Sequence, residues 1–459
     1  MRRLAALSAI LAAALLLVWP AFLNRYPILF SDTGAFLAQT IEPLMIWDKP
    51  WIYGPLLHLL HWRQTLWLPL LAQGLIVSHL LWLVQRVLRG GATPAAHLLL
   101  CASLAALTAL PWVAALLMPD IFAPVVVLAL FLLGFAPDGG LSRGELTYLL
   151  VLATLGIASH LSHIPLALAL VVLTLLVARA LGPLLRTAAP LALAVLLLLA
   201  TNAVGHGKAS LSPYGATFLL ARLIADGPAA RTIAAECPQR AWYLCAWAGR
   251  LPTDSDVFLW EPESPVNQDA HGNSRFLGGM LLAPEAQEIV AETLRREPFA
   301  VAAAALRNAT VQLVKAGVGD TLGRQALGDA VRPRLLQGFP ASEVAAHDGS
   351  AQFKGQLPAL AAPFLWPQGP VLILGAVGLL LAWRALTRRD GTLPETERRL
   401  RLGFVLMLLV GVAANAVATG ALSKPHHRYQ ARIAWLMPFG VAVLLLPRSG
   451  LHSHYKTET

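Results

Sequence analysis

Apolar residues in this chain come in long, nearly unbroken runs, and basic or turn-forming residues separate them. Runs of about 20 residues, or somewhat fewer where several pack together, predict membrane-spanning helices. Ten are expected, at roughly 4–23, 66–84, 95–117, 122–135, 147–159, 164–177, 187–204, 370–385, 402–422 and 433–446. The fifth and sixth are short, and one bent or re-entrant element there is an alternative. The first run follows a basic start, as a signal peptide would. It lacks an A-x-A-like site and reaches spanning length, so an uncleaved helix is expected.

The pattern changes between the seventh and eighth runs. The block 205–368 holds most of the acids, many prolines and no spanning run. "PEAQEIVAETLRREPFAVAAAALRNATVQLVKAG" spaces its apolar residues at three and four, which predicts amphipathic helices. "LPTDSDVFLWEPESPVNQDAHGNSRF" predicts loop. The expected organisation is an N-terminal transmembrane domain over 1–204 with a first outer loop at 24–65, a mainly helical extracytoplasmic domain over 205–368, and a C-terminal transmembrane domain over 369–459.

Composition supports this fold class, an all-α polytopic membrane protein. Of 459 residues, 57% are hydrophobic and 13% charged, and the mean hydropathy is +0.62. A soluble domain cannot hide that much apolar surface. The abundance of Ala, Leu and Arg resembles bacterial proteins. The net charge of +10 invites a nucleic-acid reading, but the arginines flank apolar runs, where they set topology. Arg2, Arg3, Arg86, Arg89, Arg143, Arg179, Arg186 and the run "RALTRRDGTLPETERRLR" belong to one set of loops, expected to be cytoplasmic with both termini. The first outer loop, the turns "MPD" and "SHLSH", the block 205–368 and "SKPHHRYQAR" then face the periplasm or exterior. Of three cysteines, Cys101 falls inside an apolar run. Cys237 and Cys245, eight apart on the oxidising side, predict a local disulfide.

No nucleotide loop, nucleophile elbow, zincin motif or dinucleotide fingerprint is present. "GHGKAS" at 205–210 has the wrong spacing for a phosphate loop. What remains is a set of ionisable residues at one membrane face. Asp32 follows the first helix in "NRYPILFSDTGAFLAQT", with Thr33-Gly34 expected to bend the chain before a surface helix. Asp120 occupies a tight turn in "LLMPDIFAP". His160 and His163 share another turn, and Lys424, His426, His427, Arg428 and Arg432 cluster in the last. Ionisable groups at membrane depth are costly and are functional candidates by default, although turns also need polar residues. Trp47, Trp51, Tyr53 and Trp62 are spaced like interfacial anchors, while Asp48-Lys49-Pro50 and Tyr53 are also placed to border a site. His58–His61 and His160–His163 have metal-compatible spacing, but hydrogen-bonded turns explain them as well.

An acid in the first outer loop, a second acid before the fourth helix, a large late outer domain and a basic-aromatic "HHRY" turn together resemble the GT-C superfamily of integral membrane glycosyltransferases. The resemblance covers most of the transmembrane region, not the outer domain, and names no subfamily. It implies a polyprenyl-phosphate-linked sugar as donor, and amphipathic helices at "DTGAFLAQTI" and "YGPLLHLLHWRQ". A cell-envelope glycan, lipid or protein would be the acceptor, at the outer face of a bacterial cytoplasmic membrane. Sugar transfer needs a base for the acceptor proton, room for an oxocarbenium-like centre and a cationic site for the departing phosphate. Asp32 suits the base. Asp120 suits orienting the acceptor, sharing the proton or helping to bind Mg²⁺ or Mn²⁺, although no metal ligand set is evident. Arg428 with Lys424, His426, His427 or Arg432 suits the phosphate. Arg25 is a second phosphate candidate or a partner of Asp32, and His160, His163 and Tyr53 are further substrate contacts. The alternatives are a lipid-linked substrate transporter or flippase, which often shows inverted repeats not seen here, and a non-catalytic assembly protein of similar fold.

Overall fold

The computed structural model describes residues 2–42, 45–237, 239–388 and 393–447. Residues 389–392 of the basic run expected to be cytoplasmic, and the tail from 448, lie outside the described residues. The described chain is all-helical, without a strand beyond two isolated bridges. Among the described residues four helices are long and apolar enough to cross a membrane, by length and composition: Trp67–Arg89, Leu181–His206, Gln368–Thr387 and Glu395–Leu422. Shorter apolar helices accompany them.

In chain order, α1 (Arg2–Leu17) and α2 (Trp19–Asn24) replace the first expected helix. The break falls at Val18, two residues before Pro20, whose ring cannot continue the hydrogen-bond ladder. The segment 24–65, expected as the first outer loop, forms α3 (Ser31–Ile41) and α4 (Tyr53–His61), followed by α5 (Trp67–Arg89). The third expected helix is also interrupted. It forms α6 (Pro94–Leu107), begun by the Thr93 cap, and the single turn α7 (Leu110–Ala114), with extended backbone at Thr108 ahead of Pro111. Then come α8 (Phe122–Phe135), α9 (Arg143–Ala158), α10 (His163–Ala178) and α11 (Leu181–His206).

The block 205–368 has two parts with different cores. The first comprises α12 (Gly215–Ala225), α13 (Pro228–Glu236), α14 (Ser255–Trp260) and α15 (Gly278–Arg296). These close around Leu220, Ile224, Ile233, Phe258, Leu282 and Ile289. Cys237 and Cys245 are joined by a disulfide there, with Cα atoms 5.3 Å apart. Next, α16 (Pro298–Val314) packs along the end of the long helix Glu395–Leu422; a Cβ at Gly420 would lie 2.6 Å from the Asn308 carbonyl oxygen, so the close crossing needs glycine. The second part holds α17 (Arg332–Gly338), α18 (Ala341–Gly349) and α19 (Leu357–Leu365). Its Leu327, Val331, Leu335 and Leu357 belong to the main core, together with Tyr26, Phe36 and Leu57 of the first outer loop. The chain ends in α20 (Gln368–Thr387), α21 (Glu395–Leu422), α22 (Arg428–Ala434) and α23 (Leu436–Leu445). The last expected helix is thus also split, at Trp435 before Pro438.

The bundle has two chemically distinct ends. At one, Arg86 near the end of α5 forms a paired hydrogen bond (2.7 and 2.8 Å) with Glu145, which also caps the start of α9 through Ser142. Arg89 donates to the Pro447 carbonyl nearby. At the other end lie the first outer loop, the Asp120 turn, the turn between α9 and α10, and the turn before α22.

Candidate functional site

Irregular backbone organises the second end. Residues after α7 are extended and pair with the segment before α3: Ile28 N–H donates to Ala115 O, and Leu117 N–H to Ile28 O, both at 3.0 Å. The other edge of that segment is held by Gln352, which accepts from Leu29 N–H (3.0 Å) and donates to Leu29 O (2.7 Å). Tyr26 Oη donates to Glu343 at 2.8 Å. Buried non-helical backbone persists only when its polar groups are paired, and here the second part of the 205–368 block does the pairing.

This arrangement fixes the position of Asp32. Thr33 and Gly34 do not bend the chain, contrary to expectation; they lie in the first turn of α3. Thr33 Oγ1 accepts from Phe30 N–H (3.0 Å) and donates to Leu117 O (3.1 Å). Gly34 permits the π-helical turn Leu327–Val331 to touch α3, since a Cβ there would overlap the Ala330 carbonyl. Asp32 follows from this anchored start, with its side chain 28% exposed. Its Oδ1 is 3.2 Å from Lys49 Nζ and its Oδ2 3.5 Å from Arg428 Nη2. Burial works to raise the Asp32 pKa, but Lys49 and Arg428 outweigh it and hold the carboxyl below its usual range. Lys49 also pairs with Asp48 and lies 5.9 Å over the Trp260 ring.

The second acid is built differently. Asp120 sits in the 3₁₀ turn Pro119–Ile121, 2% exposed, with Arg432 Nη1 at 3.3 Å. Arg432 is fully buried. It donates further to Asn415 Oδ1 (2.8 and 3.2 Å) and to Ser162 Oγ (2.9 Å). Ser162 Oγ in turn lies 2.8 Å from His160 Nδ1. Burial first, then the Arg432 and Arg428 charges, push His160 down to about 3, so the ring is neutral at neutral pH. His163 lies deeper, with Nδ1–H donating to Gly156 O at 2.8 Å.

Beside Asp120 is a narrow crevice with room for about one water molecule. Trp112, Asp120, Asp320, Thr321, Arg428 and Arg432 line it. Asp32 is not on its wall and meets it through Arg428. Asp320 Oδ2 accepts from Arg428 N–H at 3.0 Å, while Oδ1 is buried without a hydrogen-bond partner.

The basic turn divides in two. Arg428 and Arg432 enter the site. Lys424 instead pairs with Asp254 (2.6 Å) and Asp256 (3.1 Å), and His426 with Asp256 (3.2 Å). His427 Nδ1 accepts from Gly317 N–H at 3.0 Å. These three residues dock the outer helices onto the bundle and are not turned toward a common phosphate position. Arg25 is exposed at the left-handed cap of α2, and Asp32 takes Lys49 and Arg428 as partners instead. Tyr53 is buried and donates to Gln73 at 2.7 Å; Gln73 holds the Ala114 and Leu116 carbonyls, so Tyr53 supports the site from behind. Among the described residues no group of three or more His, Cys, Asp or Glu has a metal-binding arrangement. No chemical step is assigned to Mg²⁺ or Mn²⁺.

Sequence reasoning missed Asp320, Asn415 and Ser162, and gave Lys49 only a bordering role. Asn415 carried a readable signal, an amide in the middle of an apolar run. Asp320 carried none, standing in a block rich in acids.

No family model, curated protein or solved structure matches this chain.

Proposed function

We infer that the chain is a ten-span membrane glycosyltransferase of GT-C type. It would move a sugar from a polyprenyl-phosphate donor to a cell-envelope acceptor at the outer face of a bacterial cytoplasmic membrane, with Asp32 as general base. The observation that carries this reading is the convergence of Asp32, Lys49 and Arg428 beside a cavity walled by Asp120, Asp320 and Arg432. An acid for the acceptor proton and cations for the departing phosphate are what transfer from a lipid phosphate requires. Asp120 is neutralised by Arg432 and serves position, not proton transfer. The test is Asp32→Asn in proteoliposomes supplied with polyprenyl-phosphate sugars. Transfer should fall about a hundred- to ten-thousandfold with unfolding temperature unchanged; full activity would sink the assignment.

A non-catalytic assembly role is the second reading. It is favoured by one observation, that both acids are already ion-paired. It expects no transfer by any variant, and retained function of Asp32→Asn in cell-envelope assembly. A flippase has no such observation behind it.

A further inference from the structure

Two cations from distant parts of the chain meet on one carboxylate. Lys49 comes from the first outer loop and Arg428 from the start of α22, and each is held from behind by aromatic rings. Arg428 lies 4.3 Å from the Phe30 ring centroid and 4.9 Å from that of Tyr429, and Lys49 lies over Trp260. Such stacking aims a cation without neutralising it. The carboxylate does not use all they offer: Arg428 Nη1 is buried without a hydrogen-bond partner. An anion with three or four oxygens would fill this donor set better than the two oxygens of Asp32.

We propose that Lys49 and Arg428 form a clamp for the phosphate group of the ligand, and that Asp32 occupies this clamp in its place. Phosphate binding and release of Asp32 are then one event. The identity of the anion as a lipid phosphate rests on the glycosyl-transfer reading; the competition between phosphate and Asp32 rests on the geometry alone.

The consequence for chemistry is a base that is idle until the donor arrives. Paired with two cations, Asp32 is a poor proton acceptor. Once they turn to phosphate, the carboxylate loses the charges that weaken it. The acceptor hydroxyl then gives its proton to Asp32 as its oxygen bonds to the anomeric carbon. The bond from that carbon to the phosphate oxygen breaks, and the electron pair leaves on phosphate. The charge gained by the leaving group falls on the clamp. The neighbours matter too. Asp48 competes for Lys49, while Asp320 opposes any anion that goes deeper into the cavity than Arg428.

The competition has a sign that a purely structural ion pair would not show. If the clamp is free of Asp32 in about a tenth of molecules, removing the carboxylate tightens apparent phosphate affinity about tenfold. The experiment uses full-length protein in nanodiscs. Binding is titrated with a short-chain polyprenyl phosphate in one arm and inorganic phosphate in the other. Asp32→Asn should bind about tenfold tighter than the parent, and Asp32→Ser, which cannot refill the clamp, should do the same. Lys49→Ala and Arg428→Ala should each bind more weakly, and adding Lys49→Ala to Asp32→Asn should abolish the gain. Tightening of either probe supports the clamp, and the probe that tightens identifies the source of the phosphate. Unchanged or weaker binding of both probes by folded Asp32→Asn and Asp32→Ser overturns it. If both bind tighter while no sugar transfer is found in the parent, the clamp stands and the transferase reading fails.

Discussion

The two acids of the site share a partner element yet differ in nearly every physical respect. Asp32 meets Arg428 and Asp120 meets Arg432; the two arginines are four apart on α22 and so lie on one helical face. Arg432 is fully buried and spreads its donors over Asp120, Asn415 and Ser162. Arg428 keeps 13% exposure and a donor without a partner, and Asp32 is 28% exposed and shared by two cations. One helix turn thus separates a fixed pair from a displaceable one. Burying an ion pair is worthwhile only when every lone pair and proton is satisfied. Arg432 has a partner on each of its three nitrogens, whereas Arg428 leaves Nη1 without one. A pair held for stability has no reason to leave a donor unfilled, and a pair meant to be exchanged for a ligand does.

Breaking the fixed pair should have the largest effect. Arg432→Ala strands Asp120 as a buried charge, and the expected loss is about 3–5 kcal/mol, read as a fall in unfolding temperature in detergent. Arg428→Ala leaves Asp32 with Lys49 and some water, and should cost about 1 kcal/mol or less. Equal losses would erase the distinction between the two pairs. A second test moves Asp32 without touching its charge. Gly34→Ala puts a methyl into the Ala330 carbonyl, which is backbone and cannot swing away. A cost of about 1–3 kcal/mol is expected, read as a fall in unfolding temperature. Wild-type stability for Gly34→Ala would show that α3 and the turn Leu327–Val331 do not need their close contact.

Much of the helical architecture was legible because burial in a bilayer leaves a coarse signature. Each of the ten apolar runs forms helix, and of the stretches expected to be amphipathic helix, 32–41 is helical throughout while 53–64 is helical only to His61. The positions of three breaks were not foreseen, although Pro20, Pro111 and Pro438 stood in plain view. A proline inside an apolar run predicts a kink or a break with equal right; which one occurs depends on who pairs the freed carbonyls. After the short turn that Pro111 begins, the partner of Ala115 and Leu117 is Ile28, more than 80 positions away. The division of the 205–368 block was hidden for the same reason, since Gln352 and Glu343 pair with residues 317 to 323 positions earlier. Within the site, Asp32, Asp120, Arg428 and Arg432 could be gathered from loop logic alone. The sorting of "KPHHRY" could not, because the acids that claim Lys424 and His426 come from a loop with no fixed register relative to the bundle.

That sorting supplies the smallest and most specific prediction. The half of the turn that docks the outer helices is exposed: Lys424 is 33% exposed, Asp254 40% and Asp256 38%. Each ion pair is therefore worth under about 1 kcal/mol, far less than Asp120–Arg432. Burial opposes ionisation of Asp254 and Asp256, but Lys424 and, for Asp256, His426 outweigh it and hold both carboxyls below their usual range. Burial opposes the charge on Lys424 too, and the same two acids outweigh it and raise its pKa. A lowered carboxyl stabilises above its unfolded value and loses that contribution as pH falls through the folded one. A raised amine stabilises below its unfolded value and loses the contribution as pH climbs past the folded one. Docking should therefore weaken as pH falls below about 4, where the two acids are protonated, and as it climbs above about 10, where Lys424 loses its charge. Lys424→Met should weaken it across that window and remove the alkaline limb. Hydrogen exchange of α14, corrected for intrinsic rate, reads this directly. A pH dependence centred between 5 and 8 would mean that a histidine, and not Lys424 with its two acids, governs the contact. The outer helices would then be tied to the bundle by His426 on Asp256.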